Sequence, residues 1–367
     1  METNPLKKLE AFGQSIWLDY IKRDLFTDNK LKALITELCL RGMTSNPSIF
    51  EKAITESHDY DQDIKTMSQA GKDVNAIYEA LTQKDVQDAA DVFRTLYDQV
   101  KGQDGYVSLE VNPHLAHDTN GTIEEARRLW KALNRPNVFI KVPATKEGLP
   151  AIKQLISEGI NVNVTLLFGL PRYREVAEAY IVGIETRLSQ GKSVKEVVSV
   201  ASFFLSRIDV LLDPLFTKST AAHAKELQGQ VAIASAKMAY QIYHELFEDE
   251  RFKKLAAKGA NVQRLLWAST STKNPNYSDI KYIEALIGPA TVNTLPLETI
   301  KAYDNHGKPK ACLEQDLDKA KEIFKYLPEF KIDIDHVTQQ LENEGVDKFI
   351  QSYDQLIKAL QKNIKEK

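Results

Sequence analysis

The stretch NVFIKVPAT, residues 137–145, places an ammonium group inside a run of residues that prefer to be dry. Val138, Phe139, Ile140 and Val142 suit a buried β-strand. Alternation sets Val138, Ile140 and Val142 on one face, and Phe139 and Lys141 on the other. If the second face is the inside of a closed sheet, Lys141 is desolvated. Desolvation disfavours the charged form of a lysine, and a neutral amine attacks carbonyls.

Working outward, seven more runs have strand character: SIWLDYI (15–21), GMTSNP (42–47), YVSLEVNP (106–113), INVNVTLLF (160–168), VVSVASFFL (197–205), RLLWAST (264–270) and ATVNTLP (290–296). GMTSNP has the shortest β pattern of the set. Helical patterns lie between most of them. TIEEARRLWKAL (122–133) puts Ile123, Ala126, Leu129, Trp130 and Leu133 on one face. LPAIKQLISEG (149–159) carries Pro150 in its first turn, and YREVAEAYIVGIETRLSQG (173–191) runs to a glycine. Strands alternating with helices imply parallel pairing through crossovers. Eight of them predict a closed (β/α)8 TIM barrel with extra helices, with a doubly wound open sheet as the alternative. Residues 48–105 and 213–263 add helices beyond what a minimal barrel needs, and 302–367 form a polar helical C-terminal tail of unassigned role. No low-complexity linker divides the chain, so residues 1–367 read as one decorated domain.

The composition narrows the partners. A net charge of −3 on 367 residues offers no broad attraction to nucleic acid or anionic membrane. No apolar run approaches the roughly 20 residues of a membrane span, and METNPLKKLE lacks the apolar core of a signal peptide. Cys39 and Cys312 stand far apart, as free thiols in a reducing compartment would. A cytoplasmic enzyme is the expectation. Oligomeric state is open between monomer and homodimer. There is no P-loop and no GxGxxG, so a nucleotide site is unsupported. His114 and His117 lie three apart but have no clear third ligand, so no metal site is expected.

In a parallel barrel the strand C-termini face the catalytic mouth. The polar residues interrupting the eight runs therefore belong together: Asp19, Thr44, Asn46, Glu110, Asn112, Lys141, Asn163, Thr165, Ser202, Ser269 and Asn293. A Schiff-base lysine that breaks a carbon–carbon bond also needs a base for the substrate hydroxyl and a proton shuttle. Asp19 and Glu110 are the carboxylates best placed for those tasks. Glu110 shares the parity of Ser108 and Asn112, opposite Val107, Leu109 and Val111. Arg207 follows the sixth run, and Ser269, Ser271 and Lys273 follow the seventh, where such barrels often bind phosphate.

Taken in order, GMTSNPSIF, SLEVNP, FIKVPAT, VNVTLLF, VASFFLSRID and WASTSTKNP resemble the transaldolase family, most closely its longer bacterial branch. The likeness runs from about Trp17 to Thr299. It implies a barrel with the Schiff-base lysine on the fourth strand, where Lys141 also falls by count. It implies transfer of a dihydroxyacetone unit from sedoheptulose 7-phosphate to glyceraldehyde 3-phosphate, giving erythrose 4-phosphate and fructose 6-phosphate, with no cofactor. By motif, Lys141 matches the Schiff-base lysine and Asp19 the acid/base at the donor hydroxyl. Glu110 and Thr165 match the pair that holds a water. Thr44, Asn46 and Ser202 match the dihydroxyacetone pocket, with Phe204 packed beside it. Arg207 matches a phosphate-binding arginine. The STSTKN loop departs from the family's Ser-x-Arg by two added residues, which leaves Ser269 and Lys273 as the matching phosphate contacts. A related fructose 6-phosphate lyase and a non-catalytic sugar-phosphate-binding barrel are the alternatives.

Overall fold

The computed structural model describes residues 4–366. Eight parallel strands close into a barrel in sequential order: β1 (Gln14–Asp19), β2 (Gly42–Thr44), β3 (Tyr106–Glu110), β4 (Val138–Pro143), β5 (Val162–Leu167), β6 (Ser199–Phe204), β7 (Gln263–Ala268) and β8 (Thr291–Leu295). The sheet is closed rather than open and doubly wound. The seam is the β1–β8 pairing, with Gln14 opposite Thr291 and Leu18 opposite Leu295.

β1 stops at Asp19, two residues short of the sequence expectation, and β2 stops at Thr44. The second difference has a local cause. Pro47 lacks an N–H and opens a helix, Pro47–Thr55, whose N-cap is Asn46: the Asn46 side-chain Oδ1 accepts from the Ile49 N–H at 3.0 Å. The helix after β3 begins earlier than expected, at Thr119, because Asp118 caps it through the Gly121 N–H. It ends at Leu133, where Asn134 turns left-handed. The helix after β5 starts at Leu170, with Pro171 in its first turn, and ends at Ser189, ahead of Gly191. Gly148–Glu158 ends on Gly159, whose φ of +92° only glycine takes without strain.

The barrel interior is layered. Trp17, Tyr106 and Phe139 pack ring against ring below the level of Lys141. Gly42 makes room for this, since a Cβ there would sit 2.6 Å from the Trp17 indole. At the N-terminal end, Asp104 accepts from Ser15 at 2.7 Å, from Trp17 at 3.2 Å and from Arg264 at 2.9 Å, tying β1 and β7 to the entry of β3. Above the aromatic layer the filling turns polar: Ser202 donates to Asn163 at 2.7 Å, and Asn163 donates to Ser108 at 3.1 Å.

The long helix Ile334–Glu366 crosses the C-terminal mouth. Ser352 is hydrogen-bonded to Ser48 at 2.7 Å, Tyr353 accepts from Asn112 at 3.4 Å, and Glu342 accepts from Arg172 at 3.2 Å. The tail thus packs over the barrel end that holds the polar residues.

Candidate active site

The strand ends deliver side chains to one cavity of about 180 Å³ at the C-terminal mouth. That is below the roughly 300 Å³ of common ligand pockets and suits a compact polar fragment. Its wall carries Asp19, Thr44, Asn46, Lys141, Ser202, Phe204, Arg207, Ser269 and Lys273. Of the residues expected there, Asn112, Asn163 and Asn293 do not line it, and neither do Glu110 and Thr165. Both are buried, Glu110 beside Lys141 and Thr165 on β5, in register with Pro143 of the lysine's own strand.

Lys141 is 4% exposed, facing inward as its parity requires. Its Nζ donates to the Ser45 carbonyl at 3.0 Å and lies 3.7 Å from Glu110 Oε2. Register makes the second contact inevitable, because Glu110 and Lys141 are directly paired between β3 and β4. Burial pushes the Glu110 carboxyl up to about 7, against the pull of the Lys141 charge. Among the described residues, no protein group hydrogen-bonds either Glu110 oxygen or the Thr165 hydroxyl.

Asp19 occupies the wall at the end of β1. Burial raises its pKa, opposed by Lys141, by the Thr44 hydrogen bond and by Lys273. Thr44 donates to Asp19 at 2.6 Å and also meets the Thr294 hydroxyl at 2.7 Å, linking β2, β1 and β8 across the seam. At the outer rim, the Arg207 guanidinium stacks over Phe204, 5.3 Å from the ring centroid. Arg207 makes no hydrogen bond or ion pair among the described residues, and burial lowers its pKa. Ser269 takes a left-handed φ of +54° and shares a 2.8 Å hydrogen bond with Ser206. Lys273 reaches back to the Ser271 hydroxyl at 2.6 Å. His114 and His117 point elsewhere, to Asp354 at 2.8 Å and Glu147 at 3.2 Å.

Sequence reasoning passed over Ser45, Thr294 and Phe349. Ser45 acts through its backbone carbonyl, which no residue pattern reports. Thr294 interrupts an apolar run and was legible by the rule that found Asn293. Phe349 enters the cavity wall from the tail helix, and its spacing there reads as ordinary amphipathic packing.

A larger hollow of about 580 Å³ lies at the opposite end of the barrel, beside Ser15, Asp104 and Arg264. The charges of Asp104 and Arg264 are spent on each other there, as are those of Glu10 and Arg41. The chemistry belongs to the smaller cavity. An inward amine beside a carboxyl that titrates near neutrality, facing a second carboxyl, can add to a carbonyl and move protons around the adduct.

The chain matches the family model described as Transaldolase/Fructose-6-phosphate aldolase over residues 16–360. It is 48% identical to a protein of Trichodesmium erythraeum named Transaldolase, with the alignment covering 100% of this chain and 99% of that one. It is 46% identical to a Transaldolase of Frankia alni, over 97% and 96% of the two chains. It is 45% identical to a Transaldolase of Mycobacterium bovis, over 96% of each.

Proposed function

This chain belongs to the transaldolase/fructose-6-phosphate aldolase family and is a transaldolase, and we propose that it works through a Schiff base on Lys141. The observation that carries the mechanism is the placement of the Lys141 amine, buried against Glu110 and opening on the cavity that Asp19 also lines.

The neutral amine adds to the ketose carbonyl to give a carbinolamine. Glu110 gives a proton to the departing hydroxyl, which leaves as water, and the iminium remains on Lys141. With a pKa of about 7, Glu110 is suited both to give and to take that proton at neutral pH. The unpartnered oxygens of Glu110 and Thr165 are where a relaying water is expected, since buried polar atoms seldom go unpaired. Asp19 then takes the proton of the hydroxyl borne by the departing carbon of the bond that breaks, and that oxygen becomes the aldehyde of the leaving aldose. The bond's electrons flow into the iminium, the aldose phosphate leaves, and a three-carbon enamine stays on Lys141. An acceptor aldose phosphate reverses these steps. Thr44, Asn46 and Ser202 hold the hydroxyls of the three-carbon unit, and Phe204 packs beside it. Arg207, Ser269 and Lys273 hold the phosphate.

The donor is sedoheptulose 7-phosphate and the acceptor glyceraldehyde 3-phosphate, within the pentose phosphate pathway and the cytoplasm. Borohydride added with fructose 6-phosphate should lock a three- or six-carbon adduct onto Lys141. Turnover of fructose 6-phosphate should require erythrose 4-phosphate. Free dihydroxyacetone accumulating equally with and without that acceptor would show a lyase instead.

A further inference from the structure

The C-terminal helix brings a cation to the outer rim of the cavity, beyond those expected there from the sequence. Gly345, Lys348 and Ser352 follow one another at helical spacings of three and four, so they lie along one stripe of Ile334–Glu366. Two of the three have fixed neighbours. A Cβ on Gly345 would come within 3.3 Å of Arg207 Nη1, so the helix backbone passes directly over that guanidinium. Ser352 is hydrogen-bonded to Ser48. Phe349, next in sequence to Lys348, lines the cavity itself. Lys348 is therefore held between the Arg207 contact and the Ser48 contact, at the edge of the cavity wall.

Its surroundings are one-sided. Lys348 makes no hydrogen bond or ion pair among the described residues. Its side chain is exposed, and the charges acting on it are those of Arg207, Lys273 and Lys52; the Arg207 charge above all depresses its pKa. Glu344 is the acid that acts on Arg207 from the same helix. Three cations against the one carboxylate of Glu344 leave an excess of positive charge, which a bound dianion offsets.

We infer that Lys348 is a substrate-phosphate ligand, completing with Arg207 and Lys273 a three-cation clamp that the tail helix closes over the barrel mouth. This deepens the sugar-phosphate reading above and rests on it. The position also makes the tail helix part of the binding site. Arg207 supplies a planar fork from the barrel, whereas Lys273 supplies a point charge from the loop after β7 and Lys348 one from the tail helix.

The test compares wild type with Lys348→Met, which keeps the stem and drops the charge, and with Lys348→Arg. Inorganic phosphate binding, measured directly by calorimetry, should weaken roughly three- to fivefold in Lys348→Met, the worth of one partly exposed charge pair. The KM for fructose 6-phosphate should rise by the same factor with kcat within twofold, and Lys348→Arg should restore both. Borohydride trapping of unphosphorylated fructose should be unaffected. Unchanged phosphate affinity in Lys348→Met overturns the inference, as does an equal loss for phosphate and for fructose trapping, which marks a structural role. Failure of the transaldolase reading shows separately, as absent turnover in wild type, while the phosphate comparison still reads out Lys348.

Discussion

The Nζ of Lys141 lies 3.7 Å from Oε2 of Glu110, and the two residues are 4% and 7% exposed. A carboxyl held there with a pKa of about 7, against an ordinary 4.5, binds its proton more tightly folded than unfolded. Its contribution to stability is full below pH 4.5 and is lost as pH rises through 7. The loss is on the order of 3 kcal/mol. Glu110→Gln should escape it. Its melting temperature relative to wild type should climb between pH 4.5 and 7.5, while turnover falls by roughly a hundredfold or more as the proton relay goes. A melting difference that stays flat over that window would contradict the assignment.

Lys141→Ala should abolish turnover and the borohydride-trapped adduct together, with the circular dichroism of the barrel preserved. Residual trapping at another lysine, found by peptide mapping, would move the chemistry elsewhere.

Asp19→Asn should separate the two halves of the reaction. In the proposed mechanism Schiff-base formation uses Lys141 and Glu110 rather than Asp19, so trapping of fructose 6-phosphate should persist. Bond cleavage needs the Asp19 carboxylate, so kcat should drop by roughly 10²- to 10⁴-fold. Thr44→Val removes the 2.6 Å hydrogen bond to Asp19 and leaves the acid in place. Its loss should be smaller, about tenfold. Equal losses in the two variants would mean that the Asp19 carboxylate works only when Thr44 holds it, against the smaller role assigned to Thr44.

At the phosphate end, Lys273→Ala should raise KM more than it lowers kcat, because a rim cation grips ground and transition states alike. Arg207→Lys keeps the charge but loses the fork and the stacking on Phe204, so it should also raise KM for phosphorylated substrates. An unchanged KM in either variant removes that residue from the phosphate site.

The strands were legible because their residues carry a period of two, and that same period put Lys141 and Glu110 each on the polar face of its strand, leaving which face is inward to the closed barrel. Direct pairing of those two was not legible, since register between β3 and β4 is a property of the closed barrel. The end of β2 lies earlier than its sequence suggests because the Asn46 cap takes over from β propensity. Lys348 and Phe349 stayed hidden for a different reason. A lysine on an amphipathic helix reads as a solvated surface residue, and only the path of that helix across the mouth gives it a neighbour more than a hundred residues away. The STSTKN loop could be read as cationic, but its left-handed turn at Ser269 could not.

The Thr44 hydroxyl, bonded at once to Asp19 and to Thr294, staples the place where the first and last strands meet. Loosening there would part the acid from the amine on the far side of the ring without any helix having to melt. Catalytic rate is therefore a finer thermometer of ring closure than helical ellipticity, and gentle warming should silence the enzyme while its spectrum still looks whole.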